Sequence, residues 1–164
     1  MDSVSSEVAV RHRRRLTGEI QESLRELGNQ LSLLSHHVGL HAGLKDVDLD
    51  CLDLITRHGP LSPSALARRA GLHPATVTGI IDRLQRDGWV VRERAPEASD
   101  RRAVAVRALP DRDGELAHLY QGLNAAMARI CTGYDDTELE LLAGFLRRTT
   151  DAGREATDTL AEDD

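Results

Sequence analysis

The chain lacks most of the marks of secreted, membrane-bound and metal-stapled proteins. Its 164 residues include two cysteines, Cys51 and Cys131. They lie far apart with no C-x-x-C partner, which argues against a disulfide framework or a zinc ribbon and fits a reducing cytoplasm. No apolar run approaches the roughly 18 residues needed to span a bilayer. The basic stretch Arg11-His12-Arg13-Arg14-Arg15 leads into Leu16-Thr17-Gly18-Glu19, not into the apolar region that a signal peptide requires, so a cytoplasmic protein with no membrane partner is expected. There is no nucleophile elbow, phosphate loop or H-E-x-x-H, and the acidic pairs fall at helix ends. An enzyme is not expected, nor is a cofactor or a bound metal. Internal repeats and low-complexity tracts are also missing, and Lys45 is the single lysine.

The charge is unevenly distributed. The net charge of −6 looks unsuited to a nucleic-acid partner until it is divided by region. Between Arg57 and Arg107 there are ten Arg against five Asp and Glu, a local balance of +5, leaving eleven basic and twenty-two acidic residues elsewhere, a balance of −11. Phosphate contacts are local, so affinity depends on the charges beside the duplex rather than on the chain total.

Periodicity places the elements. Residues 1–12 read as a flexible leader. Ile20, Leu24, Leu27, Leu31, Leu34 and Val38 alternate at spacings of four and three, the seam of a long helix from about Arg14 to His41 that pairs with another helix. A short helix capped at Asp48 or Asp50 carries Leu49, Leu52 and Ile55 and stops at Gly59-Pro60. A second begins with Ser62 as N-cap and Pro63 at its first position and ends at Gly71, with Leu66, Ala67 and Ala70 facing inward. A third starts at His73-Pro74 and carries Val77, Ile80, Ile81 and Leu84. Two helices joined by Gly71-Leu72-His73 make a helix-turn-helix. Trp89–Arg94 and Ala103–Leu109 then read as two Val-rich strands around a charged tip, which completes a winged helix-turn-helix. One helical pattern follows through Leu116, Leu119, Leu123, Met127 and Ile130, and another through Leu139, Leu142, Phe145 and Leu146. The expected fold is mainly α with a small β-hairpin wing. Residues 47–110 form the DNA-binding lobe, and residues 13–46 and 111–160 form a helical dimerisation region.

In a helix-turn-helix the second helix enters the major groove and its N-terminal residues meet base edges. Those candidates are His73, Pro74, Ala75, Thr76, Thr78 and Gly79, with Arg83 one turn on. Ser62 and Ser64 at the start of the preceding helix join them. Small residues permit close approach, and Thr and Ala methyls can meet a thymine methyl. Asp100, Arg101 and Arg102 occupy the wing tip, where a guanidinium can enter a narrow minor groove and Asp100 can orient it. Arg68, Arg69, Arg86, Arg92 and Arg94 suit phosphate contacts, which give affinity without sequence information.

These residues resemble the MarR family of bacterial regulators (multiple-antibiotic-resistance regulators). The resemblance rests on Gly59-Pro60-Leu61-Ser62-Pro63-Ser64-Ala65-Leu66-Ala67, Thr76-Val77-Thr78, Asp82-Arg83-Leu84 with Gly88-Trp89-Val90, and Asp100-Arg101-Arg102. It implies a homodimer formed by the terminal helices and a pseudo-palindromic operator in double-stranded DNA. It also implies repression relieved by a small-molecule effector, aromatic or phenolic, bound between the dimer helices and the lobe. The family's Asp-x-Arg wing motif falls on Asp100 and Arg102, which favours Arg102 over Arg101 in the minor groove. The chain departs from the pattern at His73, where a Ser cap is usual, and at Pro110-Asp111, where Leu-Thr is usual.

The sequence also supports other readings. His37 and His41 share a helix face as two metal ligands can, but no third ligand stands at a readable spacing, so pocket-lining or solvated histidines are preferred. Cys51 is read as a small core residue, with a redox role as the alternative. A winged-helix protein-interaction module would use the same fold without groove contacts, and exposed apolar residues on the recognition helix would mark it.

Overall fold

The computed structural model describes residues 2–94 and 104–162. The chain divides into two compact units, Met1–Leu49 and Asp50–Asp164.

In the first unit, α1 (Asp2–Ala42) begins about a dozen residues earlier than its apolar seam predicts, so the expected leader is helical. No glycine or proline interrupts the chain before Gly18, and Glu7 stands four residues ahead of Arg11, a favourable helical spacing. The helix turns at Gly43 (φ 70°), and the Leu44 N–H returns to the Gly39 carbonyl at 2.8 Å. A Cβ on Gly39 would lie 3.0 Å from the Leu44 carbonyl oxygen, so the bare glycine lets the turn close against its own helix. The next helix, α2 (Asp46–His58), starts two residues before the first expected cap. Its first acidic turn, Asp46 and Asp48, suits the positive end of the helix dipole. The unit boundary falls within α2.

The second unit holds the helix-turn-helix. α3 (Pro63–Ala70) is capped by Ser62, whose side chain accepts from the Ala65 N–H, and closes at Gly71 in the left-handed region (φ 63°). That conformation favours glycine because it brings no Cβ clash. After Leu72, α4 (Pro74–Arg86) begins. Leu66 and Ala67 of α3 and Val77, Ile80, Ile81 and Leu84 of α4 are buried; each fully buried aliphatic side chain contributes about 1.5–3 kcal/mol. Strands β1 (Val90–Arg94) and β2 (Val104–Ala108) pair antiparallel, Val90 opposite Ala108 and Arg94 opposite Val104. Leu61 adds a bridge to β2, exchanging backbone hydrogen bonds with Val106 at 3.0 and 2.8 Å. The α2–α3 link is thereby stitched to the wing.

Beyond the wing come α5 (Pro110–Leu119), α6 (Gln121–Cys131) and α7 (Asp136–Glu162). The single helix expected through Leu116 to Ile130 is two, parted at Tyr120 (φ −87°, ψ −3°). Gly122 follows two residues later, and glycine weakens a helix by about 1 kcal/mol relative to alanine. Pro110, where the family pattern has Leu, occupies the first turn of α5, a position that needs no N–H. A reciprocal pair caps α7: Asp135 accepts from the Glu138 N–H at 2.9 Å, and Glu138 accepts from the Asp135 N–H at 3.0 Å.

Candidate nucleic-acid interface

The recognition helix α4 has two unlike faces. Val77, Ile80, Ile81 and Leu84 lock one side into the core. The opposite side presents Pro74, Ala75, Thr76 and Thr78 to solvent, with Gly79 and Arg83 half-exposed at its flank. A Cβ on Gly79 would stand 3.7 Å from the Arg83 guanidinium, so the small side of the helix is where the arginine lies. The face is shallow, and backbone and side chains alike can approach a base edge closely.

His73 caps this helix through its ring: Nδ1 accepts from the Ala75 N–H at 3.2 Å. An accepting Nδ1 places the neutral ring's proton on Nε2, leaving that nitrogen a donor. The threonines differ in what they have left to offer. The Thr78 hydroxyl donates to the Pro74 carbonyl at 3.1 Å, spending its proton inside the helix and leaving its methyl to the surface. On α3 the Ser62 oxygen is occupied by the Ala65 N–H and lies 3.1 Å from the Ser64 hydroxyl; both serines are exposed.

Arginines expected at phosphates divide into braces and exposed cations. Arg92, a DNA-contact candidate, donates to Asp82 and Gln85 of α4, each at 2.5 Å, bracing β1 against the recognition helix. Arg86 forms a fork on Asp87 at 2.9 and 3.2 Å. Its hydrogen bond holds the Asp87 carboxyl below the usual carboxylate range. Arg68 and Arg69 are exposed at the end of α3, and Arg94 at the end of β1. Asp100, Arg101 and Arg102 lie outside the described residues.

A joint at the far end of α4 had no local sequence signal. Arg112, in the first turn of α5, places its guanidinium carbon 3.7 Å from the centre of the Trp89 ring and donates to the Asp87 carbonyl at 2.7 Å. Glu115 holds the same guanidinium at 3.0 and 3.1 Å. Arg112 stands twenty-five residues from Asp87, beyond the reach of helical or strand periodicity.

The effector candidates are dispersed in character. The His41 Nδ1 donates to the His37 carbonyl at 2.8 Å, and both residues are exposed, whereas Cys51 is fully buried. His36 instead faces Asp46, its Nδ1 at 3.0 Å from both carboxylate oxygens. Among the described residues no group of three His, Cys, Asp or Glu can hold a metal ion, and no helix is long and apolar enough to cross a membrane.

Residues 44–104 match the MarR family model. The HTH-type transcriptional regulator YcgE of Bacillus subtilis (strain 168), itself described as uncharacterized, is 30% identical over 138 residues, covering 84% of this chain and 88% of its own. The HTH-type transcriptional repressor YetL of the same organism is 26% identical over 130 residues, 78% of this chain and 77% of its own. Streptococcus pneumoniae FabT, solved in complex with DNA, shares the fold at a TM-score of 0.61 and 18% identity, covering 85% of this chain and 98% of that one.

Proposed function

The chain belongs to the MarR family of transcription regulators, and from that membership we propose that it is a cytoplasmic repressor. In this reading it binds a pseudo-palindromic operator as a homodimer and is released by a small-molecule effector. The observation that carries the DNA reading is the division of α4 into a core-locked face and a shallow outward face of Pro74, Ala75, Thr76, Thr78 and Gly79. None of the exposed large apolar side chains lies on α3 or α4, which disfavours a protein-docking role for the same helix. The basic centre of the chain supplies the phosphate contacts, and Arg102 is assigned to the minor groove.

The homodimer reading rests on the distribution of burial. Every buried side chain among the described residues falls between Val38 and Val106. Outside that span, Ile20, Leu27 and Leu31 on α1, Met127 and Ile130 on α6, and Leu141 and Leu146 on α7 are exposed. Apolar area on this scale marks an interaction surface, and a second copy carries the complement. For the effector, a cleft of about 710 Å³ runs between α2, α3 and α7 with Asp53, Arg57, Arg68, Arg69, Arg154 and Asp158 among its walls, within the size range of small-molecule sites. Its excess of arginine suits an anionic ligand.

Selection of bound duplexes from random DNA tests the reading. The chain is expected to enrich one inverted repeat, with affinity falling steeply as salt rises. Arg102→Ala is expected to weaken that site about tenfold or more, on the scale of a lost charged contact. Failure to retain any duplex at low salt would remove the DNA reading. Small aromatic acids added to the bound complex are expected to release it; a complex indifferent to all of them removes the effector reading alone.

A further inference from the structure

We propose that Arg112 is a positioning residue for DNA recognition: it fixes the angle at which the recognition helix is presented by tying its C-terminal end to α5. The inference rests on the DNA-binding reading of α4 and extends it to a residue far along the chain from the groove contacts. One guanidinium does three things at once. Its carbon lies over the Trp89 ring, 3.7 Å from the ring centre. It donates to the Asp87 carbonyl at 2.7 Å, at the residue that caps α4. It donates twice to Glu115 Oε2, at 3.0 and 3.1 Å.

Each contact has a physical reason to hold the helix end. The last carbonyls of a helix have no partner within it and carry the negative end of its dipole, so a cation that donates there is favoured. The indole face attracts the same cation, more strongly where water is excluded; Trp89 is 2% exposed and Arg112 is one-third exposed in its side chain. Trp89 is itself fixed to both elements by its backbone, its N–H on the Leu84 carbonyl at 2.8 Å and its carbonyl on the Leu109 N–H at 2.9 Å. A rotation of α5 therefore reaches α4 through the Arg112 side chain. α5 leads on to α6 and α7, whose apolar faces are exposed, so Arg112 stands where movement of those helices enters the reading lobe.

The test compares Arg112→Ala and Arg112→Lys with the wild-type chain on two duplexes of equal length, one selected by the wild type from random DNA and one unrelated. Loss of a charged hydrogen bond and of the cation–ring contact is expected to weaken Arg112→Ala about tenfold on the selected duplex and less than about twofold on the unrelated one. Lysine keeps the charge and one donor but not the fork, and is expected to recover most of the loss. A purely stabilising residue would lower the melting midpoint and leave the ratio between duplexes unchanged, and that result overturns the proposal, as does equal loss on both. Circular dichroism and the emission of Trp89, the one tryptophan, establish folding. Should the alanine variant not fold, Glu115→Gln loosens the guanidinium without emptying the site, and is expected to reduce selectivity in the same direction; an unchanged ratio overturns the proposal. A wild-type chain that selects no duplex removes the DNA reading itself, an outcome distinct from a selective wild type with indifferent variants.

Discussion

At the leading end of α4 the chain caps its recognition helix with an imidazole where its preceding helix uses a serine. Both accept a backbone N–H, Ser62 at 3.2 Å from Ala65 and His73 at 3.2 Å from Ala75, so His73 stabilises the helix start as a hydroxyl does. His73→Ala is expected to lower stability by about 0.5–2 kcal/mol, the usual cost of a lost N-cap, and His73→Ser to retain most of it, measured by urea unfolding. The two threonines beyond it make a second prediction. Because the Thr78 hydroxyl proton is spent on Pro74, Thr78→Val keeps the outward methyl and removes little that DNA can use. Thr76→Val is expected to reduce selectivity for the chosen duplex by more than Thr78→Val, measured by competition between matched and mismatched DNA. The reverse order would reassign the polar contact to Thr78.

At the scale of elements, α4 is held by side chains at both ends, and its C-terminal end titrates. The Arg86 hydrogen bond holds Asp87 below the usual carboxylate range, with the Arg112 and Arg83 charges acting in the same sense. A carboxyl lowered in the folded state contributes stability that is complete above its unfolded pKa and is lost as pH falls through the folded value. Asp87→Asn is therefore expected to match the wild type least well at neutral pH, and the gap between their unfolding free energies is expected to close in acid, below the ordinary carboxylate range. A gap that widened on acidification would sink the assignment. The Arg92 brace to Asp82 is a weaker device, since Asp82 is 60% exposed in its side chain, and exposed ion pairs contribute about 0.2–1 kcal/mol. Elements whose logic is local were legible in sequence: Ser62-Pro63 and Gly71 around α3, Asp135 and Glu138 at the start of α7, the apolar face of α4. The joint of Asp87, Trp89 and Arg112, the Arg92 brace and the Leu61–Val106 bridge were not, because each joins residues that only the folded chain brings together. The break at Tyr120 was hidden for a different reason: an apolar pattern can run unbroken across a kink when both halves keep their phase.

For the whole molecule, the decisive fact is where burial stops. From Arg107 onward no described side chain is buried, and the long helix α1 buries none of its described side chains before Val38. Helices of 41 and 27 residues with leucines on their surfaces draw little stability from within one chain, because most helical stability in proteins comes from packing an apolar face. In the proposed homodimer, pairing along α1, α6 and α7 would supply that packing and would also set the spacing of two recognition helices on one side of a duplex. Leu146→Glu and Leu27→Glu place a charge in each proposed face, at side chains 50% and 42% exposed, where a lone chain would tolerate them. In a homodimer they are expected to lower the sedimenting mass toward that of a single 18.0 kDa chain and to weaken binding to the inverted repeat more than to a half-site. Arg102→Ala is expected to leave the mass unchanged while weakening both DNAs. A wild-type chain that sediments as a monomer at micromolar concentration, or glutamate variants that remain dimeric, would move the dimer interface off these faces, and the exposed leucines would then need a different partner.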